Sequence, residues 1–295
     1  MLLAYVSDKG RTRPTNQDSY CIEMAKQGDR VITLLSVCDG VGGLQSGEYA
    51  SAQMVLELSN WFRRILRMFT EGHPSDQQIF STLQESVRRV HGQLLQYASQ
   101  KNIRLGTTMS AILYDGSRYW IAQVGDSRIY LMRDNRLLQL TRDQTLAQRM
   151  FEQGQLTQEQ MLNDRRRSVI EQCVGFGNVE PICTGGIMEK NDWVLLCSDG
   201  FYHSLGKDEI CMALESASDS ADLRVRLCQL IQKTRSLGET DNVSVVACKA
   251  GETASFGSSA GAVSDDSTTV LLDEAKDNAW EILCDIVETH QIAGA

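Results

Sequence analysis

The order of hydrophobic patterns along the chain predicts an α+β fold in which sheet packs on sheet and helices lie outside. Three observations carry this. Apolar runs of strand length come in clusters, at 2–6, 19–25 and 31–38, then through 107–140, then at 182–189 and 192–198. Two long helical periodicities stand together between the first two clusters. Strand and helix alternate too irregularly for a doubly wound sheet.

In chain order, Leu2 to Val6 reads as a short strand, followed by a polar loop to Asp18 that carries Arg11 and Arg13. Strands at 19–25 and 31–38 turn at Gly28-Asp29. Ser46 stands as N-cap of a helix in which Ala50, Met54, Leu58, Trp61 and Ile65 recur at three- and four-residue spacing. Ser75 and Gln78 have the spacing of a capping box and open a second helix, whose buried stripe is Ile79, Leu83, Val87, Val90, Leu94 and Tyr97. Segments 107–114, 118–124, 127–133 and 137–140, with turns at Asp115-Gly116 and Asp134-Asn135, predict a meander of antiparallel strands. The stretch 143–180 is polar and mixed, with weak helical pattern near 144–153 and 157–162; so long an irregular insertion is usually functional or mobile. Leu223, Leu227 and Leu230 mark a further helix, and Val243–Cys248 a closing strand. After Lys249 the composition shifts to Gly, Ala, Ser and Thr. The expected domain therefore covers 1–250, with a flexible linker over 251–272 and a short amphipathic C-terminal segment over 273–295, helical through Trp280, Leu283, Ile286 and Val287.

The chain has 295 residues, 42% hydrophobic and 23% charged, enough for one large domain or two small ones. A net charge of −9 argues against a broad nucleic-acid surface. No apolar run approaches the ~20 residues of a membrane span. Met1 to Val6 is too short for a signal peptide and has no basic start, so a cytoplasmic protein with no membrane partner is expected. The nine cysteines are scattered, odd in number and without a C-x-x-C pair. That fits reduced thiols better than a zinc site or a disulfide framework. Cys38 and Cys197 read as small core residues within apolar strands.

Chemistry concentrates at strand ends. The apolar run to Cys38 ends on Asp39, followed by Gly40, Gly42 and Gly43. A carboxylate beside a glycine-rich exit suits a hard divalent cation; a plain strand-to-helix turn capped by Asp39 is the alternative for that stretch alone. Val194 to Cys197 runs into Ser198-Asp199-Gly200, and Asp241 precedes another apolar strand. Three aspartates at strand ends, far apart in sequence, can converge on one metal cluster.

These pieces carry a resemblance. Ser7 to Ser19, the Asp39 loop, Gly106-Thr107-Thr108, Val124 to Arg128, Ser198-Asp199-Gly200 and Thr240-Asp241-Asn242 resemble, in order, the blocks of the metal-dependent Ser/Thr protein phosphatases of type 2C in their compact bacterial form. The resemblance covers roughly residues 1–249. It implies a four-layer α-β-β-α sandwich of two antiparallel sheets, with residues 143–180 as a flap beside the active site. It implies that phosphoserine and phosphothreonine in proteins are hydrolysed by a water activated between two ions, Mn²⁺ or Mg²⁺. Asp39 would bridge the ions, and Asp199, Asp241 and the Gly40 carbonyl would complete their ligands. Asp18 would hold waters around them, Asp126 a third and weaker ion, and Arg13 the substrate phosphate. Phosphorylated proteins and a cognate Ser/Thr kinase follow as partners of a monomer. A catalytically silent phosphoprotein-binding module and a hydrolase of small phosphate esters remain as alternatives.

Two positions depart from the family pattern. Gln17 stands where many members have Glu, which removes a charge near the ions. Val41 stands where animal members have a histidine, as bacterial members usually do not. Among the four histidines, His203 alone lies near a matched block, and a packing role is expected for it. The basic run Arg165-Arg166-Arg167 is either a solvated face or an attractor for acidic or phosphorylated segments.

Overall fold

A computed structural model describes residues 2–41, 44, 46–251, 267–269 and 281–290. Strands β1 (Leu3–Asp8), β2 (Asp18–Gln27) and β3 (Arg30–Asp39) precede helices α1 (Gly47–Glu71) and α2 (Asp76–Lys101). Next come β4 (Met109–Tyr114), β5 (Arg118–Val124), β6 (Arg128–Arg133), β7 (Arg136–Gln139), α3 (Leu146–Glu152) and α4 (Gln158–Asn163). Then follow β8 (Ile182–Ile187), β9 (Trp193–Cys197), α5 (Asp199–Tyr202), α6 (Lys207–Glu215), α7 (Ser220–Ser236), β10 (Val243–Lys249), β11 (Ser267–Thr269) and β12 (Glu281–His290).

The strands form two antiparallel sheets, ordered β1-β10-β9-β6-β7 and β11-β12-β2-β3-β4-β5-β8. Their facing sides close on Tyr20, Ile22, Val37 and Ile121 from one sheet and Ile129, Leu196 and Val246 from the other. Helices α1 and α2 cover the larger sheet through Leu58, Trp61, Ile65, Leu83 and Val87. Helices α6 and α7 cover the smaller one through Ile210, Leu214, Leu223 and Leu227. Both faces of the central strands are therefore buried, which is why β2 and β3 read as continuous apolar runs rather than alternating ones. The α-β-β-α layering is as expected, and so is the capping box in which Ser75 Oγ accepts from the Gln78 N–H.

Four expectations need correction. The segments at 107–140 do not form one meander: β4 and β5 lie in the larger sheet, β6 and β7 in the smaller. The crossing is made at Gly125, whose φ of +95° is open to glycine; a Cβ there would meet Thr108 Cγ2 at 2.7 Å. Ser46 is no side-chain cap: it lies in the left-handed region at φ 58° and makes no cap hydrogen bond. Helix α6 has no counterpart in the sequence reading. Most consequentially, the expected C-terminal helix is in its place a strand, β12, paired with β2 from Glu281↔Lys26 to Glu288↔Tyr20. Cys284 and Ile286 pack toward the inter-sheet core and Val287 toward the helices, a period of two that the pairing edge of β2 selects over the helical one. Of the expected linker, Ser267–Thr269 forms β11; residues 252–266 and 270–272 lie outside the described residues, as do Trp280, Gly42 and Gly43.

Candidate metal centre

The fold brings Asp18, Asp39, Asp126, Asp199 and Asp241 to one end of the sandwich. Asp18 opens β2 and is the register partner of Asp39, which ends β3. Asp199 starts the short helix after β9, and Asp241 lies just before β10, the neighbour of β9. Asp126 sits at the crossing between sheets. Asp39 is held by its backbone: its N–H donates to Thr108 Oγ1 at 2.9 Å, and its carbonyl accepts from the Thr108 N–H at 2.8 Å and Thr107 Oγ1 at 2.9 Å. Gly40 donates to the Gln17 carbonyl at 3.0 Å. A Cβ at Gly40 would lie 2.6 Å from the Gly47 carbonyl carbon, so α1 can approach the loop only because residue 40 has no side chain.

A seam of hydroxyls ties the carboxylate-bearing strands together, and the sequence reading gave these residues no role. Ser198 Oγ donates to Asp18 Oδ2 at 2.9 Å and accepts from the Ser244 N–H at 2.9 Å. Ser244 Oγ meets Ser7 Oγ at 2.8 Å, and Asn16 Nδ2 donates to Ser7 Oγ at 2.8 Å. Thr108 Oγ1 meets Ser127 Oγ at 2.7 Å. The signal was available as small hydroxyl residues within otherwise apolar strands, where burial demands a partner. Asn242 is a positioning residue whose reach goes beyond the Asp241 turn. Its Nδ2 donates to the carbonyls of Lys9 and Thr15 and its Oδ1 accepts from the Gln17 N–H, which fixes the loop that carries Arg13. Gln17 turns its amide to Glu48 Oε2 at 2.9 Å.

The electrostatics are those of anions crowded out of water. Burial, and after it the charges of Asp18, Asp199, Asp126 and Asp241, push the Asp39 carboxyl well above the usual range. Burial and then Asp126, Asp241 and Asp18 do the same to Asp199. Burial raises Asp126 to about 7, with Asp143 adding to it. Asp18 rises to about 6 through burial, opposed by the neighbouring Ser244 hydroxyl and the Ser198 hydrogen bond. Its Oδ1 is buried with no donor. Arg13 reaches into this field: Nη2 donates to Asp241 Oδ2 at 2.7 Å, and that bond, with the nearby Asp39 and Asp199, strengthens its hold on its proton. Among the described residues no group of three or more of these side chains is placed so that it could hold an ion as it stands. Crowded, mutually repelling oxygen donors, with an orphaned carboxylate oxygen on Asp18, are nevertheless the kind of ligand that hard dications take.

The remaining candidates divide. His203 follows α5, its Nδ1 3.9 Å from Asp199 Oδ2 and its ring edge-on to Tyr202. Burial, and then the charge of Arg167, lowers it to about 4. Within the basic run, Arg166 is bound to Asp164 and Arg167 donates to the Leu162 carbonyl. The root of the 143–180 segment is stitched to the Asp126 turn: Gln144 N–H donates to the Gly125 carbonyl at 2.9 Å, and Arg128 pairs with Asp143 at 2.7 Å.

Three comparisons bear on this arrangement. The serine/threonine phosphatase stp of Listeria welshimeri is 30% identical over 246 residues, matching 81% of this chain and 92% of its own. The structure of Stp1 from Staphylococcus aureus superposes with a TM-score of 0.72 at 27% identity, over 86% of this chain and 96% of that one. The catalytic domain of the serine/threonine protein phosphatase PstP, in complex with two manganese ions, does so with a TM-score of 0.65 at 30% identity, over 84% and 97%. The family model of protein phosphatase 2C matches residues 7–150, which span Arg13, Asp18, Asp39 and Asp126, and with these relatives it places the chain in the protein phosphatase 2C family of serine/threonine phosphatases.

Proposed function

We propose that the chain removes phosphate from phosphoserine and phosphothreonine in proteins with the help of two Mn²⁺ or Mg²⁺ ions, its partners being phosphorylated proteins and the kinase that makes them. The observation that carries this is the convergence of five aspartates from separate segments, with Arg13 among them. Asp39, Asp199, Asp241 and the Gly40 carbonyl would hold the two ions, and Asp126 a third. Bound there, they would neutralise the phosphate dianion and make a water nucleophilic at neutral pH. The chain's own residues do the rest. Asp18, fixed by Ser198, has one oxygen left to orient water. Arg13 binds Asp241 through one nitrogen, which leaves the rest of its planar fork for phosphate oxygens. The hydroxyl seam keeps the strand ends from spreading under their own repulsion. The manganese-bound PstP neighbour supports this choice of ion.

The test is phosphate release from a phosphothreonine peptide by protein stripped with a chelator, before and after adding Mn²⁺. Release that needs Mn²⁺ is expected. Peptide binding without release would make the chain a silent reader, and release from small esters alone would make it a small-ester hydrolase.

A further inference from the structure

The outer edge of the seven-stranded sheet carries a charged cluster that takes no part in the metal centre. Glu23 lies in the middle of β2, on the side facing the helices, and is fully buried. Its Oε1 accepts from Ser59 Oγ of α1. Arg63, one turn further along α1, binds Asp285 of β12 and stands 4.0 Å from Glu23 Oε1. The two remaining oxygens, Glu23 Oε2 and Asp285 Oδ1, are buried and have no donor. Two carboxylates thus share one guanidinium. Among the described residues the other titratable neighbours are the thiols of Cys21 on β2 and Cys284 on β12, both pushed upward by burial and so neutral. On β3 the register partner of Glu23 is Leu34, and on α1 the facing polar groups are Ser59 and Arg63. A single proton on Glu23 repairs both defects: it gives the orphaned oxygens a donor, and it leaves one negative charge against one positive.

We propose that β12 is a proton-dependent latch: the strand Glu281–His290 stays docked on β2 while Glu23 carries a proton against Asp285, and lets go as that proton is lost. Docking itself creates the demand for the proton. Burial, and after it the neighbouring Asp285, push the Glu23 carboxyl up to about 8, against the pull of the Ser59 bond. Undocking removes Asp285 and opens the edge to water, which returns Glu23 toward its ordinary value of 4.5. The docked state therefore binds the proton more tightly. Its advantage is complete below the lower value and is lost as pH rises through the upper one, by at most about tenfold per pH unit in between. What the latch covers is the edge of β2, the strand whose first residue is Asp18.

Hydrogen exchange of the full chain, corrected for the intrinsic pH dependence of exchange, tests this between pH 6 and pH 9. Protection of the peptide spanning 281–290 should fall severalfold to tenfold per unit toward pH 8, while β3 stays unchanged. Glu23→Gln carries a permanent donor for Asp285 and should hold the strand docked with no pH dependence. Asp285→Asn, outside the core strands, should flatten the profile as well and serves if the first variant folds poorly. Protection of 281–290 that is flat with pH in the unmodified chain, or an unaltered fall in both variants, would overturn the latch. Neither outcome depends on the metals or on phosphatase activity.

Discussion

Asp126 shows what the candidate site costs the protein when no cation balances it. Its carboxyl, raised to about 7 by burial and then Asp143, binds a proton more tightly folded than unfolded; Asp18, raised to about 6, does the same. The stability they contribute is present below their unfolded value of 3.8 and is lost as pH rises through 6 to 7. Chelator-treated protein should accordingly melt higher at pH 5 than at pH 8, and Asp126→Asn should flatten that slope in a melting series. Asp39→Ala, Asp199→Ala and Asp241→Ala should each abolish most turnover; the first two should leave the chelated protein at least as stable, because they relieve repulsion among crowded carboxylates. Near-normal kcat in any of them would refute the assignment. Arg13→Ala should raise KM for phosphate esters and spare Mn²⁺ binding; loss of Mn²⁺ affinity with unchanged KM would make Arg13 a prop for Asp241. His203, lowered to about 4, is neutral at pH 7 and a poor proton donor there. His203→Ala should leave kcat on a phosphothreonine peptide within about tenfold, short of the 10²–10⁴ of a lost general acid.

Among the elements, two decide how the site is assembled. The turn at Gly125 sends the chain from one sheet to the other and sets Asp126 between them. Gly125→Ala forces a side chain into both a left-handed backbone and Thr108, and should destabilise by about 1–3 kcal/mol on the scale of such strained residues, read from denaturant midpoints. β12 is the second. Truncation after residue 250 should leave activity on aryl phosphates, since Arg13 and the five aspartates of the candidate site all lie before it. It should also lower the melting temperature, because Arg63 loses its Asp285 partner and the β2 edge is bared. A truncated chain that fails to fold would make the C-terminal strand integral to the domain.

Taken whole, the molecule is two sheets clamped by helices around an apolar core, with a cluster of like charges at one end, so Mn²⁺ should raise the melting temperature in proportion to the logarithm of its concentration above Kd. A melting curve indifferent to Mn²⁺ would contradict the proposed site. Much of this architecture was legible in the sequence, because the central strands are buried on both faces and the long helices on one, and burial leaves a hydrophobic period. Asp39, Asp199 and Asp241 were legible too, as polar residues breaking apolar runs at strand ends. Sequence alone did not reveal which strands share a sheet: β5 and β6 look like hairpin partners, and only the backbone at Gly125 separates them. Nor did it reveal the hydroxyl seam, since Ser198 and Ser244 gain their meaning from a partner across the sheet. The C-terminal segment is the plainest case. Leu283, Ile286 and Val287 satisfy a helical spacing, but β2 has an unpaired edge, and a row of backbone donors and acceptors waiting for a partner outweighs a weak local preference. Local periodicity determined what could be buried; pairing between distant segments decided against what.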